Sequence, residues 1–258
     1  MQATGNTVLI TGGGSGIGLA LAGELAKRGN RVVIAARSPQ RLEAAAHKGF
    51  AALPGDVSDP GSIKSLARKV LDSFPTLNVV IHNAGIMKNE NLRAMNTEEI
   101  ATETIATNLA GPILLTMALL PHLLKQAQAT IMTVSSGLAF VPLAMAPTYS
   151  ATKAAIHSWT QSLRYQLRDS GIQVIELVPP YVQTGLMGRR QAEDSAAMPL
   201  GQFVSEVMEI LTTQPHAVEI LVRRVQPLRF AASEGMEKYE TVFREMNDRL
   251  SAARAAEF

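Results

Sequence analysis

The chain has 258 residues, 47% of them hydrophobic and 18% charged, with a formal net charge of +2 and no cysteine. This is enough chain for one large α/β domain, and it carries no Lys/Arg run interleaved with aromatics that would mark a nucleic-acid surface, no disulfides and no thiolate chemistry. Residues 1–10, MQATGNTVLI, lack the basic start and apolar core of a signal peptide, and no uninterrupted apolar run reaches the ~18 residues of a membrane span, so a cytoplasmic protein is expected. No internal repeat or low-complexity linker divides it, and residues 1–258 are read as a single domain.

In chain order, Thr7 to Thr11 is a β-branched strand that runs into TGGGSGIG and then a helical LALAGELAKRG. Strand, glycine turn and helix together let a pyrophosphate approach backbone N–H groups at the positive end of a helix, which makes Gly12, Gly14, Ser15, Gly16, Ile17 and Gly18 candidate phosphate-binding positions. The spacing is G-x-x-x-G-x-G from Gly12; a ligand-free glycine turn is the alternative. The second strand, RVVIAA, ends at Arg37 and Ser38, where a dinucleotide site would hold the adenosine ribose. No acidic residue for a 2′-hydroxyl stands there, whereas Arg37 could pair with a 2′-phosphate, so NADP(H) is favoured over NAD(H). A solvated arginine is the alternative.

A weak third strand over Phe50–Leu53 precedes Asp56-Val57, where Asp56 is either an acceptor for the adenine amino group or a turn residue. Asp59-Pro60 reads as the start of a helix reaching Ser73. Asn78–His82 is a fourth strand ending in Asn83-Ala84-Gly85, whose small residues leave room for a flat ligand, and a long apolar helix is expected from Thr97 to Lys125, disturbed near Asn108 by Gly111-Pro112. The fifth strand, TIMTV, leads to Ser135 and Ser136. Tyr149 and Lys153 follow, four apart on one helical face, where an ammonium would lower the pKa of the phenol and help it exchange protons. Alternating strands and helices imply a doubly wound parallel sheet of about seven strands, an α/β Rossmann fold with ligands at the carboxyl ends of the strands.

TGGGSGIG, Asp56-Val57, His82-Asn83-Ala84-Gly85, Asn108, Ser136 and Tyr149-x-x-x-Lys153, taken in this order and with Ser136 thirteen residues before Tyr149, resemble the short-chain dehydrogenase/reductase family over roughly residues 5 to 190. The resemblance implies Tyr149 as general acid/base, Ser136 holding the substrate oxygen and Lys153 depressing the Tyr149 pKa while binding the nicotinamide ribose. It implies Asn108 as the anchor of a proton relay. Pro179, Val182 and Thr184 resemble the residues beside the carboxamide. Spacing gives the substrate role to Ser136 and leaves Ser135 to backbone or loop hydrogen bonding. Two departures stand out: Pro179-Pro180 where the family usually has Pro-Gly, and His82 where it usually has asparagine.

The reaction implied is hydride transfer between a nicotinamide and a small-molecule carbonyl or secondary alcohol; a non-catalytic NADP(H) sensor or scaffold, or an epimerase or dehydratase using the same residues, are the alternatives. No metal is called for. Residues 185–202 read as a substrate lid, and Leu138, Phe140, Met145, Tyr181 and Met187 as an apolar substrate pocket, with Arg189 and Arg190 available to grip an acid. The glycine-rich ending of many family members is missing. Residues 233–256 form instead a C-terminal helix whose Met236, Tyr239, Phe243, Met246 and Leu250 make an apolar stripe, covering the protein's own core or a second subunit of a homodimer or homotetramer. ELVPPYVQT with this tail resembles a bacterial branch of the family named for D-alanine esterification of teichoic acid, a label that speaks of genetic neighbourhood rather than chemistry.

Overall fold

The computed structural model of the chain describes residues 1–93 and 97–253. Seven strands, β1 (Thr7–Thr11), β2 (Arg31–Ala36), β3 (Ala51–Pro54), β4 (Leu77–His82), β5 (Ala129–Val134), β6 (Ile172–Val178) and β7 (Glu219–Leu221), form one sheet in the order β3-β2-β1-β4-β5-β6-β7. Every pairing is parallel. Because β1 lies between β2 and β4, the chain reverses its direction of travel across the sheet there, and the loops after β1 and β4 part to leave a crevice.

The strands are apolar on both faces because helices cover both. Val8, Ile10, Val32 and Ile34 point to one side, where they meet Leu21 and Leu25 of α1 (Gly16–Lys27) and, farther along the sheet, Phe203 and Val207 of α8 (Leu200–Thr213) share the same core. Leu9, Val33 and Val80 point to the other, against α3 (Pro60–Ser73), α5 (Gly111–Leu123) and α6 (Pro147–Gln166). This period-two division is what parallel strands buried between two helical layers require. The remaining helices are α2 (Pro39–His47), α4 (Glu98–Ile105), α7 (Arg189–Glu193), α9 (Gln226–Arg229) and α10 (Met236–Ala253).

Local chemistry sets several boundaries. Asp59 accepts from Ser62 N and Pro60 opens α3, as a cap followed by proline should. The third strand starts one residue later than expected, since Phe50 N is used by Ala45 O in the turn that ends α2. The expected helix from Thr97 to Lys125 is three pieces: α4, a π-helical turn over Ala106–Ala110 that holds Asn108, and α5. Pro112 has no N–H for the Asn108 carbonyl, and Gly111 N reaches back five residues to Ala106 O, so the irregularity sits where the proline forces it. The run Glu98–Leu123 is long and apolar enough to cross a membrane by length and composition, but its Leu115, Leu119 and Leu123 pack beneath the sheet.

The C-terminal helix begins at Met236, three residues later than expected, because Ala231–Glu234 makes a separate 3-10 turn and Gly235 takes φ +103°. Residues 254–256 of the expected helix lie outside the described residues. The expected lid at 185–202 is also more regular than its composition suggests: it contains α7, gives its last three residues to α8, and is tied down by backbone bonds between Tyr181, Gln183 and Met198.

Candidate active site

A cavity of about 700 Å³ runs along the carboxyl ends of the strands, from the turn after β1 to the start of α6. Gly12, Gly14, Ser15, Gly16 and Ile17 form one wall, with Gly16 N–H at the amino end of α1. Gly12 has φ +65°, and a Cβ on it would lie 2.7 Å from Ala84 Cα, so both backbone conformation and close approach demand glycine. Gly18 does not line the cavity. A Cβ there would lie 2.4 Å from Asn83 Nδ2, and its hydrogen lets Asn83 bond Thr11 O and Gly12 O, clamping the β4 loop to the glycine turn.

Ala36, Arg37, Ser38 and Arg41 line the far end. Arg37 is about half exposed, and its only ionic neighbours among the described residues are the carboxylates of Glu103 at 3.7 Å and Asp56 at 3.9 Å. Ser38 caps α2 by accepting from Arg41 N. Val57 faces the cavity, but Asp56 does not: its Oδ1 accepts from Ser58 N and Ser58 Oγ, which makes it the turn residue rather than an acceptor directed into the site. Asn83, Ala84 and Gly85 form the floor, and Pro179, Pro180, Val182 and Thr184 the opposite wall. Thr184 lies under Gly16 and accepts from Gln191 Nε2 of α7, joining the lid to the glycine turn. The cavity thus has the length, the glycine wall and the paired cations that suit a dinucleotide.

Ser136, Tyr149 and Lys153 converge at the inner end, 8%, 6% and 5% exposed. Ser136 Oγ accepts from Leu138 N at 3.1 Å, and the Ser136 hydroxyl acts on the Tyr149 phenol to favour its ionised form. Lys153 Nζ donates to Val134 O at 2.8 Å and lies 5.5 Å from the centre of the Tyr149 ring. Burial pushes the Tyr149 phenol up to about 12, with the hydrogen bond from Ser136 opposing it. The net direction is therefore opposite to the depression expected from Lys153, and burial is its cause. Lys153 is pushed down to about 8 by burial, against the attraction of the Glu176 carboxylate.

Asn108 stands behind these residues rather than in the cavity. Its Oδ1 accepts from Ile86 N and its Nδ2 donates to Ile86 O, both at 2.9 Å, and Nδ2 also reaches Thr152 Oγ1 at 3.3 Å, so it fastens the β4 loop to α6. Glu90, which sequence reasoning missed, holds the first turn of α6: its carboxylate accepts from Thr148 N at 3.0 Å and Thr148 Oγ1 at 2.6 Å. The Ser135 expectation is corrected in part. Its N–H donates to Leu177 O, but its hydroxyl is buried with no hydrogen-bond partner among the described residues. His82 is structural: buried, bonded to Thr116 Oγ1 at 2.8 Å, and driven down to about 4 by desolvation.

The apolar side holds surprises. Leu138, Met145 and Met187 do cluster on Tyr149, together with Met87 and with Leu250 from α10. Phe140 does not belong there; it packs against the core with its edge on the His157 ring and Arg229 over its face. Tyr181 turns its hydroxyl to Asp194 Oδ2 at 3.0 Å, anchoring the lid rather than lining the cavity, and Arg189 pairs with Glu193 on the surface. Tyr239, Phe243, Met246 and Leu250 of the C-terminal stripe pack on Leu138 and Val141, so the tail covers the chain's own Ser-to-Tyr loop, with Met236 left exposed. Asn247 locks this contact by donating to Pro142 O and accepting from Ala144 N. Met87 lies two residues after the NAG turn and Arg41 four residues after Arg37, so both were within reach of the sequence. Leu250, a hundred residues from Tyr149, was not.

Comparison with known proteins agrees with this geometry. The family described as short chain dehydrogenase matches residues 6–195. An uncharacterized oxidoreductase, DltE, of Bacillus subtilis (strain 168) is 40% identical, covering 96% of this chain and 98% of its own. Among solved structures, a 3-ketoacyl-(acyl-carrier-protein) reductase of Brucella melitensis complexed with NADH is 26% identical with a TM-score of 0.75 over 87% of this chain and 100% of that one. A short-chain dehydrogenase of Sphingobium yanoikuyae in complex with NADPH is also 26% identical, with a TM-score of 0.73 over 83% and 86%. The chain belongs to the short-chain dehydrogenase family, whose members are NAD(P)-dependent oxidoreductases acting on CH–OH groups.

Proposed function

We propose that this chain is an NADP(H)-linked carbonyl reductase in which Tyr149 is the general acid and Ser136 holds the substrate oxygen. The observation that carries this reading is that Ser136, Tyr149 and Lys153 share one buried end of the cavity whose other end is the glycine turn. A nicotinamide dinucleotide bound along that wall would supply the hydride. Tyr149 Oη gives its proton to the carbonyl oxygen as negative charge develops there, and the Ser136 hydroxyl stabilises the same oxygen. With the phenol at about 12, Tyr149 holds at neutral pH the proton that a carbonyl oxygen would take.

Lys153 Nζ, already on Val134 O, has donors to spare for ribose hydroxyls. Pro112 lacks the N–H that would close an ordinary helical bond on the Asn108 carbonyl, which supports that carbonyl as the holder of a relay water behind Lys153. Arg37 and Arg41 give the far end two cations for a 2′-phosphate, and Val182 and Thr184 border the space for a carboxamide. The substrate contacts Met87, Leu138, Met145 and Met187, an apolar surface that suits a carbonyl compound with a hydrophobic substituent. Exposed Ile105, Leu114 and Met117 on α4 and α5 favour self-association as a dimer or tetramer. A carbonyl and alcohol panel with NADPH and with NADH, run on the chain and on Tyr149→Phe, tests the proposal: turnover with NADPH that is lost in the variant supports it, and undiminished turnover in the variant contradicts it.

A further inference from the structure

Glu176 has no part in that mechanism, yet it is a wholly buried carboxylate beside it, with 0% exposure on β6. An ionised carboxylate in such a place needs compensation. Its Oε2 accepts from His157 Nδ1 at 2.7 Å, while Oε1 has no hydrogen-bond partner among the described residues. His157 Nε2 lies 3.2 Å from Gln161 Nε2, so the ring is held between the glutamine amide and the Glu176 carboxylate.

The charged groups facing Glu176 are Lys153, His157 and Arg164 from α6, Glu219 from β7 and Arg229 from α9. Arg229 is committed to Glu219, with contacts of 2.8 and 3.0 Å, and Arg164 donates to Val174 O and Val218 O. Lys153 remains. It precedes His157 by four residues on the same face of α6, and its Nζ sits on Val134 O. Val134 pairs with Leu177 and Thr133 with Glu176, so lysine and carboxylate meet the same short length of β5 and β6. The ligand atoms of His157, Glu176 and Glu219 lie within 4.8 Å of one another, a spacing a divalent metal would accept, but Arg229 and Arg164 already offset the Glu219 charge there.

We propose that Glu176 is a positioning residue of the site: a buried counter-charge, oriented by His157, that keeps the Lys153 side chain an ammonium beside Tyr149. The inference rests on the reading of Tyr149 and Lys153 given above. Burial lowers the Lys153 pKa and the Glu176 carboxylate opposes it, so without the carboxylate Lys153 loses its proton at a lower pH. A neutral lysine no longer supports Tyr149 electrostatically.

The test is a pH titration of the Lys153 Cε resonance in the full chain labelled with ¹³C-lysine, assigned with Lys153→Met, comparing the native protein with Glu176→Gln. The amide keeps the shape and the acceptor for His157 but removes the charge. The expected result is a titration near 8 in the native chain and one lower by about one unit or more in the variant. Titration at the same pH in both overturns the proposal. If Glu176→Gln lacks the native circular dichroism spectrum, Glu176→Asp, which withdraws the carboxylate by one methylene, should give a smaller downward shift. Zinc chloride that stabilises the native chain saturably, but not Glu219→Gln, would make the cluster a metal site and equally overturn it. The titration needs no turnover, so it decides this point even if the carbonyl panel fails. Where the panel succeeds, the high-pH limb of kcat/KM should move down in Glu176→Gln by the same amount as the resonance.

Discussion

The two ends of the cavity are built on different principles. The dinucleotide end is made of backbone: the turn from Gly12 to Gly16, the Asn83-Ala84-Gly85 loop and the exit from β6, all at strand ends that the parallel sheet holds in register. The substrate end is made of side chains delivered by four distant segments, with Met87, Leu138, Met187 and Leu250 meeting at Tyr149. Backbone positions tolerate little change because a glycine or a strand end has few substitutes, whereas apolar walls accept many residues of similar volume. One end is therefore fixed by the fold and the other is free to set the substrate.

Substitutions at the two ends should fail in different ways. The largest effect is expected where the ends meet: Ser136→Ala should lower kcat by about 10²–10³ while leaving the Kd for NADPH, read by fluorescence titration, unchanged. Next comes His82, beneath the dinucleotide end. Its folded pKa of about 4 lies below the ordinary 6.5, so the neutral ring contributes stability that is full above about pH 6.5 and is lost as pH falls through about 4. The loss should approach ~3 kcal/mol in denaturant titrations and be absent in His82→Asn. Arg37→Gln should weaken NADPH by about 10–100-fold and leave NADH unaffected; equal weakening of both would move the phosphate contact elsewhere. The smallest effect belongs to the substrate end: Leu250→Ala should change the ratio of kcat/KM between a bulky and a small carbonyl compound by about tenfold with no change in cofactor affinity.

The same contrast explains what the sequence could reveal. The strands and the glycine turn were legible because alternation, β-branching and glycine spacing are local, and the Ser136, Tyr149 and Lys153 constellation because family resemblance supplied its order. Phe140 and Tyr181 were misplaced because a loop's side-chain directions depend on what packs over it. Here His157 and Arg229 take Phe140, and Asp194 takes Tyr181. The direction of the Tyr149 shift differs for a related reason: spacing showed the nearby cation but not the burial that raises the phenol. Asn247 and Glu176 gave no local signal, and Leu250 was legible only as part of an apolar stripe whose partner stayed open, since each acts on residues tens of positions away through the tertiary fold.

The central claim is that the two ends form one reaction chamber, with hydride passing from the dinucleotide to a carbonyl carbon held at Tyr149. Mass spectrometry of the alcohol formed from a carbonyl substrate and NADPH deuterated at nicotinamide C4 tests it most directly. With one face labelled at a time, one label should place a single deuterium on the carbinol carbon and the other none. Product free of deuterium from both labels, or substrate converted with no net consumption of NADPH, would contradict the account.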